Sequence, residues 1–186
     1  MTASASPSCF ALFDTVIGCC AVAWGEAGIG GVQLPQADAQ QTRQLMRQRF
    51  PSARESAPPL SVQQAIDGIA AMLRGEAHDL STLTLDMRGV PDFYQRVYAV
   101  TRSIAPGQTL TYGEVAARLG EPGASRAVGQ ALGRNPFAPV VPCHRVLAAG
   151  DKPGGFSANG GVRTKLRLLL IEGAMRGTLG LFDESP

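Results

Sequence analysis

Three prolines within seven residues constrain the fold of this chain more than any other feature of its sequence. Pro136, Pro139 and Pro142 stand three residues apart. Each proline lacks a backbone N–H donor and disfavours helical geometry in the residue before it. The segment 135–142 is therefore predicted to be extended and stiff. Because Cys143 follows directly, the sequence predicts a thiol held on rigid backbone.

Two basic residues, His144 and Arg145, follow Cys143. Positive charges beside a cysteine lower its pKa, and the thiolate is the form that attacks, so a reactive Cys143 is predicted. Neighbouring side chains of an extended chain point to opposite sides, so contact between Cys143 and His144 needs a turn or a bridging water. The alternative is an inert cysteine, since free cysteines often behave as buried hydrophobic residues.

Glu172 falls in the last turn of the final predicted helix, where the helix dipole disfavours a negative charge. We expect its carboxylate to orient His144 and to sustain the basicity of the imidazole. Together with Cys143 these residues would form a set of thiol, imidazole and acid. A solvated surface glutamate is the alternative.

The pattern of the chain changes at residues 88–92, which contain Gly89 and Pro91. Before this point, short apolar runs broken by glycine predict two or three antiparallel strands over residues 9–34. Helices are predicted over residues 38–50 and from Ser61 to Gly75, the second opened by a capping box of Ser61 and Gln64, and a strand over residues 83–87. Beyond residue 92, stripes of apolar residues at helical spacing predict helices.

The sequence thus predicts an α+β fold. A small domain of antiparallel sheet and helices spans residues 1–88, a mainly helical domain spans residues 89–176, and a tail spans residues 177–186.

Two short helices joined by a glycine-rich turn are predicted over residues 111–133. Thr111 and Glu114 form a capping box for the first, and the turn 120–123 ends it. This is a helix-turn-helix, whose second helix meets DNA. One face of that helix carries Arg126, Gly129, Gln130 and Gly133. Each helical glycine costs about 1 kcal/mol but lets another backbone approach closely, either nucleic acid or, alternatively, a protein helix.

Composition narrows the class of protein. The chain has 186 residues, of which 45% are hydrophobic, and a formal net charge of +2, so contact with nucleic acid must come from a local patch. No signal peptide and no apolar run of about 18 residues is evident, and we expect a cytoplasmic protein with reduced thiols and no membrane contact. Cys9, Cys19, Cys20 and His78 could bind zinc on paper, but they lack a pair of cysteines separated by two to four residues, and no metal is expected.

The segment Pro142-Cys143-His144-Arg145, preceded by Arg126-Ala127-Val128-Gly129 and Asn135-Pro136, resembles the O6-alkylguanine-DNA alkyltransferases. The resemblance runs in order from about Pro91 to Ala174. It implies a ribonuclease H-like N-terminal domain and a winged-helix-like C-terminal domain. The implied activity is DNA repair by irreversible, single-turnover transfer of an alkyl group from O6-alkylguanine, and also O4-alkylthymine, to Cys143. A monomer that needs no cofactor is implied.

The resemblance also implies how double-stranded DNA is bound. The helix-turn-helix would enter the minor groove and flip the damaged nucleotide out of the stack. Arg126 would fill the gap, Tyr112 would push the 3′ phosphate, and Ala127 and Gly129 would permit close approach. Arg145 is a further predicted DNA contact.

The remaining roles concern the chemistry and the base. Glu172 would orient His144, which would deprotonate Cys143 through a water, while Asn135 would hold the turn that supports the site. The predicted base pocket consists of Val146, Phe156 and Ser157, with Phe156 where family members often carry tyrosine. Two other functions remain open: a protein that binds the lesion without transfer, and a hydrolase of the Cys-His-acid type that turns over.

Overall fold

The computed structural model describes residues 7–150 and 152–175. The predicted tail at 177–186 therefore lies outside the described residues. The strands are β1 (Cys9–Thr15), β2 (Gly18–Gly25), β3 (Gly28–Gln33), β4 (Arg54–Glu55), β5 (Leu110–Thr111) and β6 (Val146–Leu147). The helices are α1 (Ala39–Arg49), α2 (Leu60–Leu73), α3 (Asp92–Arg102), α4 (Tyr112–Arg118), α5 (Ser125–Gly133) and α6 (Val162–Ile171).

The first three strands form an antiparallel meander, which confirms the prediction for residues 9–34. The sheet order is β3-β2-β1-β4, and the short β4, which the sequence did not reveal, runs parallel to β1. Gly28, with φ of +114°, opens β3 where a Cβ would lie 2.5 Å from the carbonyl oxygen of Thr84. Only glycine fits so close to another backbone.

The predicted strand at 83–87 is wrong, because only one bridge joins this segment to the sheet, between Ile29 and Leu85. The N–H of Ile29 donates to Thr84, but further along β3 the N–H of Val32 donates to the carbonyl of Pro136 at 2.8 Å. Residues 135–142, here called the proline segment, thus occupy the outer edge of β3 where a longer strand would have paired.

Helices α1 and α2 pack on this sheet. The bounds of α1 agree with the prediction, and Asp38 caps it by accepting from the N–H of Gln41 at 2.7 Å. The predicted capping box of α2 is wrong. The helix starts at Leu60 after Pro59, without a side-chain cap, so Ser61 already lies inside the first turn and cannot serve as the N-cap.

The C-terminal half is mainly helical, as predicted. Helices α4 and α5 form the helix-turn-helix, and the capping box of Thr111 and Glu114 is present. The buried hydroxyl of Tyr98 on α3 donates to the carbonyl of Ala131 on α5 at 3.0 Å, which ties α5 to the core. Strands β5 and β6 pair in parallel beside α4.

The two halves of the chain share buried apolar surface. Val140 and Leu168, both from the C-terminal half, belong to the core cluster of the N-terminal sheet and α2. Ala138 and Phe156 pack against this cluster and against the core of the helical half. The proline segment is thereby clamped between the two cores, next to the thiol.

Candidate active site

The prediction that residues 135–142 are extended is wrong, because residues 136–140 form turns and the N–H of Val141 donates to the carbonyl of Phe137 at 3.2 Å. Cys143 follows this segment in a single 3₁₀ turn, Cys143–Arg145. The N–H of Cys143 donates to Val141 at 2.8 Å, and the N–H of Arg145 donates to Pro142 at 2.9 Å. The residues after Pro142 are not prolines. Each of them has a backbone N–H that can donate a hydrogen bond, so the chain can form a turn here.

Asn135 fixes the start of the same segment. Its side-chain amide donates to the carbonyl of Val141 at 2.8 Å, and its side-chain oxygen accepts from the N–H of Phe137 at 3.0 Å. Asn135 therefore bridges both ends of the stiff approach to Cys143, in the position expected for a residue that holds the turn.

Cys143 is 7% exposed and lines two cavities. The first, here called the α5 cavity, has a volume of about 420 Å³ and is walled by Tyr112, Gly129, Leu132, Gly133, Gly155, Phe156 and Ser157. The second, here called the β3 cavity, has a volume of about 360 Å³ and extends from the thiol to β3 and the end of α1. Both volumes lie in the range of small-molecule sites. The thiol is buried but reachable.

The prediction that neighbouring cations lower the pKa of Cys143 is wrong. Burial raises the pKa of the thiol, and the Asn135 side chain and the positive charge of Lys165 offset this only in part. The side chains of His144 and Arg145 turn away to Glu172, so sequence neighbours do not supply the compensating charge.

His144 is fully buried, with its Nε2 3.1 Å from Oε1 of Glu172. The approach is too oblique for a well-formed hydrogen bond, and Nδ1 has no hydrogen-bond partner within the described part of the chain. Burial lowers the pKa of His144, outweighing the attraction of Glu172, so the imidazole is neutral near pH 7 and able to accept a proton. The predicted pair of His144 and Glu172 is thus brought together.

Glu172 caps the C-terminus of α6. Burial alone would raise the pKa of its carboxyl, but contacts with His144 and Arg145 outweigh burial and lower it to about 2. The carboxylate is therefore ionised at all ordinary pH values.

Arg145 does not occupy a DNA-binding position, contrary to prediction. Its guanidinium is buried and donates to both oxygens of Glu172, at 2.8 and 2.7 Å, and to the carbonyl of Ile104. A negative charge at the C-terminal end of a helix is unfavourable unless a cation lies nearby, and the 3₁₀ turn directs Arg145 to the Glu172 carboxylate. Arg145 is a positioning residue for Glu172.

Sequence reasoning missed Lys165 on α6. This side chain is fully buried, donates from Nζ to the carbonyl of Val146 at 2.6 Å, and lies 5.8 Å from the ring centre of Tyr112. Burial lowers its pKa to about 8. The signal was available: Lys165 stands three residues after Val162 and four before Leu169, so a helix puts it on the apolar face.

The exposed side of the helix-turn-helix carries the predicted DNA contacts. Arg126 is exposed on α5, and Ala127 is half-buried there. A Cβ on Gly129 would lie 3.9 Å from the ring of Tyr112, so this ring packs beside the bare part of the helix. Phe156 and Ser157 line both cavities. Val146, predicted for the same pocket, is instead fully buried in β6.

The three other cysteines do not gather with His78. Cys19 and Cys20 lie opposite Asp14 and Phe13 on β1, whereas Cys9 pairs with Trp24 at the far end of the same ladder. All four cysteines are free. Across residues 7–150 and 152–175, no cluster of His, Cys, Asp or Glu could hold a metal ion. No helix described there is long and apolar enough to cross a membrane.

Comparison with known proteins gives concordant matches. Residues 92–174 match the family described as 6-O-methylguanine DNA methyltransferase, DNA binding domain. A methylated-DNA–protein-cysteine methyltransferase of Methanothermobacter thermautotrophicus is 38% identical over 152 residues, covering 82% of this chain and 78% of that protein. One of Mycobacterium tuberculosis is 43% identical over 126 residues, covering 67% and 74%. The crystal structure of Mycobacterium tuberculosis OGT in complex with DNA gives a TM-score of 0.69 at 34% identity, covering 89% of this chain and 92% of that one.

Proposed function

This chain belongs to the methylated-DNA–protein-cysteine methyltransferase family, and from that premise we propose which of its residues carry out the reaction. The protein is a DNA repair transferase that binds DNA and moves the alkyl group of O6-methylguanine to one of its own cysteines. We assign Cys143 as the acceptor. The observation that carries this assignment is that Cys143 lines both cavities, with Asn135 and Lys165 acting on its thiol and the next residue, His144, in contact with Glu172.

The first step is ionisation of the thiol. His144 is neutral, and its unpartnered Nδ1 takes the proton of Cys143 through a bridging water. The carboxylate of Glu172, itself held by Arg145, stabilises the imidazolium that forms. Lys165 supplies a positive charge that favours the thiolate against the cost of burial.

The second step is alkyl transfer. The sulfur of Cys143 attacks the alkyl carbon bonded to O6, an S–C bond forms, and the C–O6 bond breaks. Its electron pair stays on the guanine, which takes up the proton that His144 removed from the thiol and leaves as the neutral base. The thioether product is stable, so each molecule reacts once. These steps use side chains of this protein and one water molecule.

The damaged base enters the α5 cavity, whose walls carry no charged side chain. The helix-turn-helix lies in the minor groove, where Gly129 and Ala127 on α5 admit the DNA backbone. Arg126 fills the space of the flipped nucleotide, and Tyr112 presses the 3′ phosphate. Phe156 and Ser157 contact the base edge.

Further assignments follow from the same premise. The protein acts as a monomer on double-stranded DNA, without a cofactor, and O4-alkylthymine is a second substrate. The free thiols of all four cysteines support a cytoplasmic location. The chain divides into domains at residues 1–88 and 89–176.

The decisive experiment compares Cys143→Ala with Cys9→Ala after incubation with a duplex that contains O6-methylguanine. Intact-mass spectrometry should show the gain of one CH₂ group in the wild type and in Cys9→Ala, and no gain in Cys143→Ala, which should still bind DNA. Methyl transfer by Cys143→Ala would refute the assignment. Product counting also separates the alternatives, because a hydrolase exceeds one product per protein and a lesion-binding protein gives none.

A further inference from the structure

The β3 cavity adjoins the α5 cavity at Cys143. It shares Gly133, Cys143, Phe156 and Ser157 with the α5 cavity. Its remaining wall combines residues 32–34 and Arg49, at the end of α1, with residues 134–136, Ala138 and Ala158 of the C-terminal half. Because the two cavities meet at Cys143, an O6 substituent longer than methyl, brought to the thiol by a base in the α5 cavity, lies next to the β3 cavity.

The two cavities differ in charge. The walls of the α5 cavity carry no ionisable side chain apart from Tyr112 and the thiol. The walls of the β3 cavity carry two arginines, Arg49 and Arg134, and no aspartate or glutamate. A methyl group needs neither a cavity of about 360 Å³ nor a cation in its wall.

Arg49 makes hydrogen bonds only to neutral groups. One terminal nitrogen donates to the carbonyl of Val32 at 3.1 Å and to the side-chain oxygen of Gln33 at 2.7 Å, and the other donates to the carbonyl of Pro136 at 3.3 Å. These three bonds leave two of the five guanidinium N–H groups without a hydrogen bond to any described residue. No carboxylate in residues 7–150 or 152–175 pairs with it.

Burial lowers the pKa of Arg49, but arginine stays charged at any pH near neutral. A partly buried cation that lacks a counter-charge is unfavourable by itself, and an anion that reaches it recovers the lost electrostatic energy. The cavity wall therefore favours a ligand that brings a negative charge close to Cys143.

We propose that the β3 cavity receives O6-alkyl substituents that end in a carboxylate, which Arg49 binds while Cys143 attacks the carbon attached to O6. This inference rests on the proposed function. The S–C bond forms, the C–O6 bond breaks with its electron pair left on guanine, and the guanine takes up a proton. The carboxylate is unchanged, and the product is an S-carboxyalkyl cysteine.

The test uses two duplexes that differ in one substituent on the same guanine. One carries O6-carboxypropyl and the other O6-carbamoylpropyl, which has the same shape but no charge. Single-turnover transfer is followed by intact-mass spectrometry in the wild type, Arg49→Met and Arg49→Lys. The wild type should transfer the carboxypropyl group about tenfold faster, since a charge-assisted hydrogen bond contributes that much. Arg49→Met should remove this preference, and Arg49→Lys should keep part of it.

Equal rates for the two substituents in the wild type would overturn the inference. So would a preference that survives in Arg49→Met, because Arg49 would then bind a DNA phosphate or only join β3 to Pro136, and its loss would slow both transfers equally. The ratio is measured on one protein sample, so a partly unfolded variant does not distort it. If Arg49→Met does not fold, the ratio of carboxypropyl to carbamoylpropyl transfer in the wild type, and its decrease in Arg49→Lys, still test the inference.

Methyl transfer by the wild type distinguishes a failure of the role given to Arg49 from a failure of the proposed function. Transfer of methyl without any preference for carboxypropyl refutes the role of Arg49 and leaves the proposed function standing. Failure to transfer methyl refutes both.

Discussion

At Cys143, the burial that shapes the cavities also opposes ionisation of the thiol. The pKa of the thiol is raised by burial and lowered by Asn135 and Lys165. Arg145, two residues after Cys143, instead pairs with Glu172. The charge that favours the thiolate therefore comes from Lys165, which lies 22 residues further along the chain.

Lys165→Met should shift the pH dependence of methyl transfer. Without the charge, the pKa of Cys143 rises further, so the rising limb of the rate profile moves to higher pH. The rate at pH 7 should fall about tenfold for each unit of that rise. Because the pKa of Lys165 is about 8, the wild type loses the charge above that pH, and the two profiles should converge there.

The measurement is the single-turnover rate between pH 6 and about 9.5, a range that spans the thiol and amine pKa values. Lys152→Met, which removes an exposed lysine from the preceding loop, is the control and should follow the wild type. A uniform slowing of Lys165→Met at every pH would show that Lys165 only packs against β6 and Tyr112.

On the scale of elements, α5 combines a buried apolar face with an exposed face short of side-chain atoms. Val128, Ala131 and Leu132 are buried, while Gly129 and Gly133 leave the backbone bare. Helix propensity alone would favour alanine at both glycines. The composition of α5 therefore serves close approach to DNA at a cost in stability.

Gly129→Ala should raise the free energy of unfolding by about 0.5–1 kcal/mol and weaken DNA binding. The added Cβ meets the Tyr112 ring at an ordinary contact distance of 3.9 Å, so the fold tolerates it, but it projects where the DNA backbone approaches. Urea denaturation and fluorescence anisotropy with a labelled duplex measure the two effects.

Gln130→Ala is the matched control for Gly129→Ala. It lies on the same helix and removes side-chain atoms, so it cannot obstruct the DNA. Unchanged affinity in Gly129→Ala would mean that the DNA backbone does not come close to α5 at this residue.

Over the whole molecule, the two halves are joined by shared packing as well as by the chain. Leu168 of α6 is 1% exposed and lies in the core cluster of the N-terminal sheet. Arg49 and Val32 both hydrogen-bond to Pro136, which holds the proline segment against that sheet. The N-terminal half thus supports the geometry of a site whose reactive groups come from the C-terminal half.

The full chain should therefore unfold in one transition. Trp24 is the single tryptophan and reports on the N-terminal core, whereas far-UV circular dichroism also follows α3 to α6. The two signals should coincide in urea. Leu168→Ala should shift both by the same amount, about 2–5 kcal/mol, because it empties part of the shared core.

Leu60→Ala, at a position 75% exposed, is the control for Leu168→Ala and should change little. Separate midpoints for fluorescence and circular dichroism would show that the halves unfold independently.

Local sequence was sufficient for most elements. The glycine breaks predicted the β1–β3 meander, the Thr111–Glu114 capping box predicted the start of α4, and the apolar stripes predicted the later helices. Where local signals competed, prediction failed. Ser61 matched a capping pattern, but α2 begins directly after Pro59, one residue before Ser61 could act as the N-cap. The segment at 83–87 had the composition of a strand, but Pro136 hydrogen-bonds to the edge of β3 with which it would have paired.

The sequence by itself determined that a stiff proline segment presents Cys143 beside a helix-turn-helix, because turn chemistry and helical periodicity act over a few residues. Only the tertiary structure decided that Arg145 pairs with Glu172, that the charge of Lys165 acts on the thiol, and that Arg49 lines the β3 cavity. Arg145 and Glu172 are 27 positions apart in the chain, Cys143 and Lys165 are 22 apart, and Arg49 and Cys143 are 94 apart. Their meeting depends on how the two halves pack, and long-range packing follows from the burial of the whole core rather than from any local pattern.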